Sequence, residues 1–242
     1  MNVRQYKGSI MLSLSNCKKL VTFSFDDGNT DDIRLVEILN RYGLKATFNL
    51  CSGLPDNSQY WIYDGKKEVR HINFCESKNL YDGHEIASHT VCHPHLEELT
   101  DVEIRNEIEL DCIYLSAFFG CNISGMALPF GTYNETVLKT VKDLGLHYCR
   151  TVSDTYSFDL PEKLPLLDPT CHFLSERMPE LIDRFAEYDG EDYNLFYIWG
   201  HSYELVTEKD WSNFEKTCSE IASLNGTAFC TNREALMRCC GL

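Results

Sequence analysis

One segment gives the clearest indication of the fold class: Val21-Thr22-Phe23-Ser24-Phe25-Asp26-Asp27-Gly28. Its first five residues are mostly β-branched or aromatic and predict a buried strand, and the Asp-Asp-Gly that follows predicts a turn. Beyond the turn, apolar residues recur at helical spacing at Ile33, Val36 and Leu39, and a second strand is predicted at Ala46–Leu50. A strand, a helix and a strand in succession form a β-α-β unit, which indicates a parallel sheet.

The same alternation continues to the end of the chain. Further strands are predicted at 85–88, 126–130, 146–150, 193–199 and 227–230. Helices are predicted to open at the capping boxes Thr100/Glu103 and Thr132/Glu135, and to cover about 175–188, 208–223 and the residues from 232 onward. About seven strand–helix repeats predict an α/β fold, either an open doubly wound sheet or a barrel.

Composition excludes several classes of protein. The chain has 242 residues, a length that one α/β barrel commonly occupies, so we expect a single domain. Its 22 basic and 37 acidic residues give a net charge of −15, which argues against a nucleic-acid partner. No run of about 20 apolar residues is present, so we expect no membrane insertion. The sequence does not indicate an oligomeric state.

Twelve cysteines are present without any Cys-x-x-Cys pair, so we expect them to be buried thiols rather than a thiolate metal site. The first 20 residues lack the apolar stretch of an export signal. We therefore expect a cytoplasmic protein, or a secreted one if such a signal has been removed.

Polar residues collect where predicted strands end. Asp26 and Asp27 follow the first strand, His89 and His93 follow the strand at 85–88, and His201 follows the strand at 193–199. The carboxyl ends of parallel strands meet at one face of such folds. One carboxylate and two imidazoles suit a divalent cation such as zinc, with a position left open for water.

Each of these residues also has an ordinary interpretation. Asp-Asp-Gly is often a simple turn whose carboxylates cap a helix, and a lone histidine is more often a hydrogen-bonded interior side chain. The combination favours a site, because every element lies at a strand end.

Four blocks resemble the polysaccharide deacetylases, the NodB-homology group of carbohydrate esterase family four. They are Phe23–Gly28 (FSFDDG), Gly83–Leu96 (GHEIASHTVCHPHL), Leu128–Gly131 (LPFG) and Trp199–His201 (WGH). The resemblance implies a distorted (β/α) barrel with about seven parallel strands. It also implies an N-terminal extension at 1–19 and a catalytic domain at 20–242. Residues at about 52–82 are mixed and polar with no clear period, which predicts a long excursion that could form a wall of a cleft.

The resemblance assigns roles to these residues. Asp27, His89 and His93 would hold one divalent metal ion, most simply Zn, with Co or Ni as alternatives. Asp26 would be the general base, and His201 would protonate the leaving group. The backbone N–H of Phe130 would stabilise the oxyanion.

The chain departs from the family pattern at two points. The third motif normally begins with an arginine that orients the catalytic aspartate, and here Ala127 stands in its place. We predict that Arg150 reaches the same carboxylate through a bidentate pair. The acidic fourth motif is not recognisable, so Asp154 and Glu204 are both candidates for orienting His201.

Three further residues are candidates for binding substrate: Pro129, His172 and Trp199. His172 and Trp199 fit equally well as a satisfied loop histidine and a core tryptophan. Cys92, between the two histidine ligands, is expected to point into the core.

These inferences predict a metal-dependent hydrolase that removes N- or O-acetyl groups from a carbohydrate, of the N-acetylglucosamine-oligomer or acetylated-xylan type. Two alternatives stay open. One is hydrolysis of a non-carbohydrate amide on the same fold, and the other is an inactive carbohydrate-binding homologue.

Overall fold

Strands and helices alternate along the chain in the computed structural model, which describes residues 17–54, 59–161 and 163–241. In chain order the strands are β1 (Lys19–Asp27), β2 (Ala46–Leu50), β3 (Trp61–Tyr63), β4 (Lys67–Val69), β5 (Glu85–Ser88), β6 (Gly125–Ala127), β7 (Tyr148–Arg150), β8 (Leu166–Leu167), β9 (Cys171–His172), β10 (Asn194–Gly200) and β11 (Thr227–Phe229). Strands β3 and β4 form an antiparallel hairpin, and the other nine share one parallel sheet.

Within the described residues, five α-helices lie between strands in chain order, and a sixth follows the last strand. They are α1 (Asp32–Arg41), α2 (Asp101–Phe119), α3 (Glu135–Asp143), α4 (Met178–Ala186), α5 (Glu208–Ala222) and α6 (Asn232–Cys240). Thr100 caps α2 through the predicted capping box with Glu103. The box predicted at Thr132 is wrong: Asn134 accepts from the Val137 N–H and caps α3, while the Thr132 hydroxyl donates to Glu97.

The sheet order is β8-β7-β6-β5-β2-β1-β10-β9, and β11 pairs with the first residues of β1. Only three residues separate β8 from β9, although these strands stand at the two ends of that order. Four Cα–Cα steps span at most about 14 Å, so the two sheet edges lie close together and the sheet curls into a distorted barrel. The predicted fold class is confirmed, with nine strands in the sheet instead of about seven.

The core lies inside and around this curved sheet. Phe23, Phe25 and Phe48 stand on the central strands with no more than 1% exposure, and helix residues such as Leu35 and Phe214 pack against them. Because β1 is covered on both sides, its sequence is nearly continuous in buried residues. The rigid centre of the sheet therefore carries Asp26 and Asp27 at its carboxyl end.

Three local predictions need correction. The strand expected at 126–130 ends at Ala127, because Leu128 and Pro129 lead into a 3-10 turn at Pro129–Gly131. The excursion at 52–82 contains the β3–β4 hairpin, which its mixed composition did not predict. Cys92 is exposed, not in the core.

The extension predicted at 1–19 falls largely outside the described residues, and β1 already begins at Lys19. The predicted domain boundaries stay predictions. None of the helices in the described ranges combines the length and the apolar character that crossing a membrane requires.

Candidate active site

Asp26 lies inside the barrel at the end of β1, with 2% of its surface exposed. Arg150 donates to its Oδ2 from Nη2, and Asn49 donates to its Oδ1 from Nδ2 at 2.8 Å. Burial would raise the pKa of Asp26, but the charge of the Arg150 guanidinium, with smaller contributions from His89 and His201, holds that pKa below its usual value. Asp26 is therefore an anion at neutral pH, as a general base must be.

The predicted Arg150–Asp26 contact is present, but it is not bidentate. Nη1 of Arg150 donates to the backbone oxygen of Thr151 at 3.0 Å, so a single nitrogen serves Asp26. Ala127 and Arg150 are register partners on β6 and β7. The arginine thus stands one strand away from the position where the family pattern has it, at the same level of the barrel.

The next residue, Asp27, turns its carboxylate to the opposite wall of the site. Its backbone adopts the left-handed conformation, with a φ of 74°, and Gly28 follows with a φ of 65°. A Cβ on Gly28 would approach the side chain of Leu50 to 2.7 Å, so only glycine fits this turn. The turn gives the two adjacent carboxylates different principal partners, although His201 lies near both.

His89 and His93 approach Asp27 from the loop after β5. Their Nε2 atoms lie 3.5 Å and 3.7 Å from Asp27 Oδ1. Nδ1 of His89 lies 2.9 Å from the backbone oxygen of Ala127, which can only accept a hydrogen bond. The proton of neutral His89 is therefore on Nδ1, and Nε2 presents a lone pair to the site.

The side chain of His93 is also in the form that binds metals. Burial, reinforced by the neighbouring His89, lowers the pKa of His93 to about 4, so its imidazole is neutral at pH 7. The backbone N–H of His93 donates to Thr90 Oγ1 at 3.0 Å, and both residues have positive φ. The loop is thus bent into a shape that presents both rings to Asp27.

Asp27, His89 and His93 fit a divalent cation. One ligand atom from each lies within 4.8 Å of the others. Ligand atoms about 2.0–2.1 Å from a tetrahedral zinc ion lie about 3.3 Å apart. This separation is close to the two distances from histidine Nε2 to Asp27 Oδ1. Two neutral imidazoles and one carboxylate are a donor set that zinc, cobalt and nickel accept.

His201 faces both aspartates from the opposite side. Its Nε2 lies 3.8 Å from Asp26 Oδ2 and 3.9 Å from Asp27 Oδ2. Burial opposes protonation of His201, but Glu204 and the two aspartates together raise its pKa to about 9. A protonated imidazole can donate a proton, which is the role that the resemblance implies for it.

Glu204, and not Asp154, is next to His201. Its Oε2 accepts from the His201 backbone N–H at 2.9 Å and lies 3.4 Å from Nδ1 of the same residue. Asp154 accepts from Trp199 Nε1 at 2.8 Å and from the His172 N–H at 3.1 Å. Of the two candidate acids, Asp154 orients the tryptophan, and Glu204 alone is in a position to orient the histidine.

The predicted substrate-binding residues lie around this centre. The Arg150 guanidinium stands 4.7 Å from the centre of the Trp199 ring, which is partly exposed. Nε2 of His172 lies 2.8 Å from Glu204 Oε2, and its Nδ1 accepts from the Leu174 N–H at 3.2 Å. Both ring nitrogens of His172 are engaged within the protein, which favours a positioning role over contact with substrate.

Phe130 and Pro129 form the turn after β6. Pro129 is buried, whereas the Phe130 ring is half exposed and stacks on His95 with a centroid distance of 3.8 Å. The same ring meets His93 edge-on at 4.5 Å. Phe130 has a φ of 57°, so the chain bends sharply beside the histidine ligands. The oxyanion role of its N–H stays a prediction.

Left-handed backbone at residues other than glycine is concentrated at this site. Asp27, Thr90, His93 and Phe130 all have φ between 55° and 74°. Such residues cost free energy and persist where the surrounding structure holds them, commonly at functional sites. All four follow the carboxyl ends of sheet strands and surround the same centre.

The sequence did not reveal two further contributors, Asn49 and Tyr203. Asn49 lies in the middle of β2 as a register partner of Asp26, and a polar residue inside the buried segment Ala46–Leu50 was the available signal. Tyr203 packs on His201 at 4.9 Å, and Trp61 of the hairpin meets Tyr203 at 5.6 Å. The excursion therefore supports the wall of the site beside His201.

Comparison with known proteins agrees with this geometry. The sequence model described as polysaccharide deacetylase matches residues 14–149 of this chain, which is more than half of it. The chain belongs to the polysaccharide deacetylase family. The matched region of the family includes Asp26, Asp27, His89, His93 and Phe130.

Curated relatives carry related names. A peptidoglycan-N-acetylglucosamine deacetylase from Bacillus cereus is 28% identical over 143 residues, which are 57% of this chain and 59% of that protein. A chitin deacetylase from Pestalotiopsis sp. is 29% identical over 161 residues, which are 64% of this chain and 50% of that protein. The chain therefore spans about half the length of these family members. Their names support the expected class, a hydrolase of amide or ester bonds.

Solved structures agree on the fold. A family 4 acetyl xylan esterase from Clostridium thermocellum, in complex with a cobalt ion, superposes with a TM-score of 0.58 at 19% identity. The superposition covers 90% of this chain and 91% of the esterase. At this identity the likeness shows the shared family fold, which extends beyond the region matched by sequence.

Proposed function

We propose that this protein is a metal-dependent deacetylase that hydrolyses N- or O-acetyl groups of a carbohydrate. The observation that carries the proposal is the pair of neighbouring carboxylates with separate surroundings. Asp27 faces His89 and His93, whereas Asp26 faces Arg150 and Asn49. One turn thus supplies a metal ligand and a base side by side.

Asp27, His89 and His93 are the residues that would hold the divalent cation of the proposed reaction. A divalent cation bound by Asp27, His89 and His93 would acidify water and polarise the acetyl carbonyl. Nδ1 of His89 fixes that ring through the Ala127 oxygen, and the bent loop fixes His93. Both ligands are therefore oriented before the cation binds.

The two sides of the site divide the proton transfers. Asp26, kept anionic by Arg150, is the base that accepts a proton from the attacking water. His201, kept protonated by Glu204 and the aspartates, is the acid that gives a proton to the leaving amine or alcohol. The N–H of Phe130 would donate to the oxyanion that forms on the acetyl oxygen.

The substrate class is inferred from the relatives. Those with similar sequences are named for peptidoglycan N-acetylglucosamine and for chitin. We therefore place N-acetylglucosamine oligomers first and O-acetylated xylan second. The net charge of −15 disfavours strongly anionic polymers through long-range repulsion.

Acetate release tests this function directly. The protein is stripped with a chelator, refilled separately with zinc, cobalt or nickel, and incubated with N-acetylglucosamine oligomers and O-acetylated xylan. We expect release that needs the metal and is lost in Asp26→Asn. His147→Gln is a matched control, because His147 is exposed and precedes the start of β7, whereas the site residues lie at or beyond the carboxyl ends of the strands.

The outcomes separate the alternatives. Metal-dependent release from one substrate, abolished in Asp26→Asn and retained in His147→Gln, supports the deacetylase. Tight metal binding without release from any sugar, but with hydrolysis of small amides, favours the other amidase activity. Sugar binding without hydrolysis by any metal form favours the inactive homologue.

A further inference from the structure

His172 lies next to the site but belongs to no motif of the family resemblance, and three hydrogen bonds hold it, one at the backbone and two at the ring. Its backbone N–H donates to Asp154 Oδ2 at 3.1 Å. Nδ1 accepts from the Leu174 N–H at 3.2 Å, which requires a lone pair on Nδ1. In the neutral ring the proton is then on Nε2, which lies 2.8 Å from Glu204 Oε2. His172 is thus a hydrogen-bond donor to Glu204.

One oxygen of Glu204 joins the two histidines. Oε2 accepts from His172 Nε2 at 2.8 Å and from the His201 backbone N–H at 2.9 Å. The same atom lies 3.4 Å from His201 Nδ1, and 15% of the Glu204 side chain is exposed. Two short hydrogen bonds fix the carboxylate at the point from which it faces Nδ1 of His201.

His172, His201 and Glu204 also lie close enough together to suggest a second cation site. The hydrogen bonds argue against that interpretation. The lone pair of His172 is on Nδ1 and already accepts a hydrogen bond from the Leu174 backbone N–H, so the ring offers Glu204 a donor and not a ligand atom. Hydrogen bonds run instead from His172 through Glu204 to the His201 backbone N–H, and Glu204 Oε2 faces His201 Nδ1 at 3.4 Å.

From these contacts we propose that His172 is a positioning residue for His201 that acts through Glu204. This inference rests on the proposed function, in which His201 is the acid. His172 holds Glu204, Glu204 faces Nδ1 of His201, and Nε2 of His201 is thereby directed at Asp26 and Asp27. Without His172 the carboxylate keeps only the His201 backbone N–H as a partner, and its position beside Nδ1 of His201 is no longer fixed from two sides.

Kinetics of zinc-loaded variants test the proposal. We expect His172→Leu to lower kcat on the order of 10-fold or more with KM nearly unchanged, as removal of outer partners of a site commonly does. His172→Gln keeps an N–H donor at a similar reach and should recover most of the loss. His147→Leu and His147→Gln are the matched pair at an exposed histidine and should leave kcat unchanged.

A second readout does not depend on turnover. In zinc-loaded protein labelled with ¹⁵N-histidine, the His201 Nδ1–H should give a downfield proton signal, identified by its loss in His201→Gln. We expect this signal to shift and broaden in His172→Leu and to return in His172→Gln, with zinc content equal in all three proteins.

The proposal is overturned if His172→Leu leaves both kcat and the His201 signal unchanged. It is also overturned if that variant loses zinc, since His172 would then serve the metal. If the parent protein releases no acetate from any substrate, the proposed function fails, and the His201 signal still decides whether His172 orients that ring.

Discussion

Arg150 Nη2 donates to Asp26 Oδ2 inside the barrel, across 124 positions of sequence and with both side chains buried. A buried ion pair of this kind contributes little net stability while intact, because desolvation offsets the attraction. Removing one partner leaves the other charge buried without compensation. The contact therefore couples the stability of the barrel to the same group that the reaction uses.

Arg150→Met should lower the free energy of unfolding by about 3 kcal/mol, because Asp26 then remains as an unpaired buried anion. Urea unfolding at pH 7 measures the loss. Arg34→Met is the matched control, since its pair with Glu208 is on the surface and screened by water, so a much smaller loss is expected. Equal losses of unfolding free energy in the two variants would show that breaking the buried pair costs no more than breaking the surface pair.

His93→Ala should abolish stoichiometric zinc binding, whereas His95→Ala should retain it. The two residues flank Pro94, but only His93 directs Nε2 at Asp27, while His95 pairs with Glu97 at the surface. Metal analysis after dialysis, together with calorimetric titration of zinc, distinguishes them. Loss of zinc in both variants would mean that the loop conformation, and not the His93 ligand, was being tested.

Asp32 predicts a pH dependence of stability. Its carboxyl group begins α1 in a buried position, where Ser202 and Tyr81 donate to it at 2.5 Å and 2.8 Å. Burial raises the pKa of Asp32 to about 7 in spite of these donors. The folded protein therefore holds a proton that the unfolded chain releases near pH 4, so this contribution to stability is complete below pH 4 and is lost as the pH rises to about 7.

Asp32→Asn removes that proton exchange and keeps the shape of the side chain. Urea unfolding measures the free energy of unfolding of both proteins between pH 5 and pH 8. Over this range the parent should lose on the order of 2 kcal/mol relative to the variant, at about 1.4 kcal/mol per pKa unit. Other titrating groups are common to both proteins and cancel in the difference. Parallel curves would contradict the raised pKa.

Phe130→Gly should leave kcat within about 10-fold of the parent, because the predicted oxyanion donor is a backbone N–H. Glycine also adopts the φ of 57° without the strain that a phenylalanine carries there. Steady-state acetate release measures kcat for this variant and for His201→Ala. The second variant is the reference for loss of a catalytic group, since its kcat should fall by several orders of magnitude. A comparable loss in Phe130→Gly would assign the role to the ring.

Much of this architecture could be predicted because it depends on local patterns. The β-α-β unit around Asp26 and the block Gly83–Leu96 are continuous in sequence, and periodicity locates them well. The convergence of His89, His93 and His201 followed from one rule, that parallel strands end on the same face. The Arg150 contact was predictable for the same reason.

The remaining features depend on distances that a sequence does not contain. Strands β8 and β9 have two residues each, too few for any periodicity. Asp154 and Glu204 were both candidates for orienting His201. Only the folded chain shows that Glu204 lies beside the His201 ring, whereas Asp154 accepts from Trp199. The Thr132 box failed because Thr132 found a tertiary partner in Glu97.

The register pairing of Ala127 with Arg150 has a consequence for how such enzymes are recognised. A cation that reaches Asp26 can be supplied from either of two adjacent strands, because Ala127 and Arg150 are register partners at the carboxyl ends of neighbouring parallel strands. Comparison residue by residue along a motif records a missing arginine at Ala127. Comparison by position in the sheet finds the positive charge on the neighbouring strand, at Arg150. Homologues that lack the motif arginine should therefore be checked for an arginine at the register partner of that position.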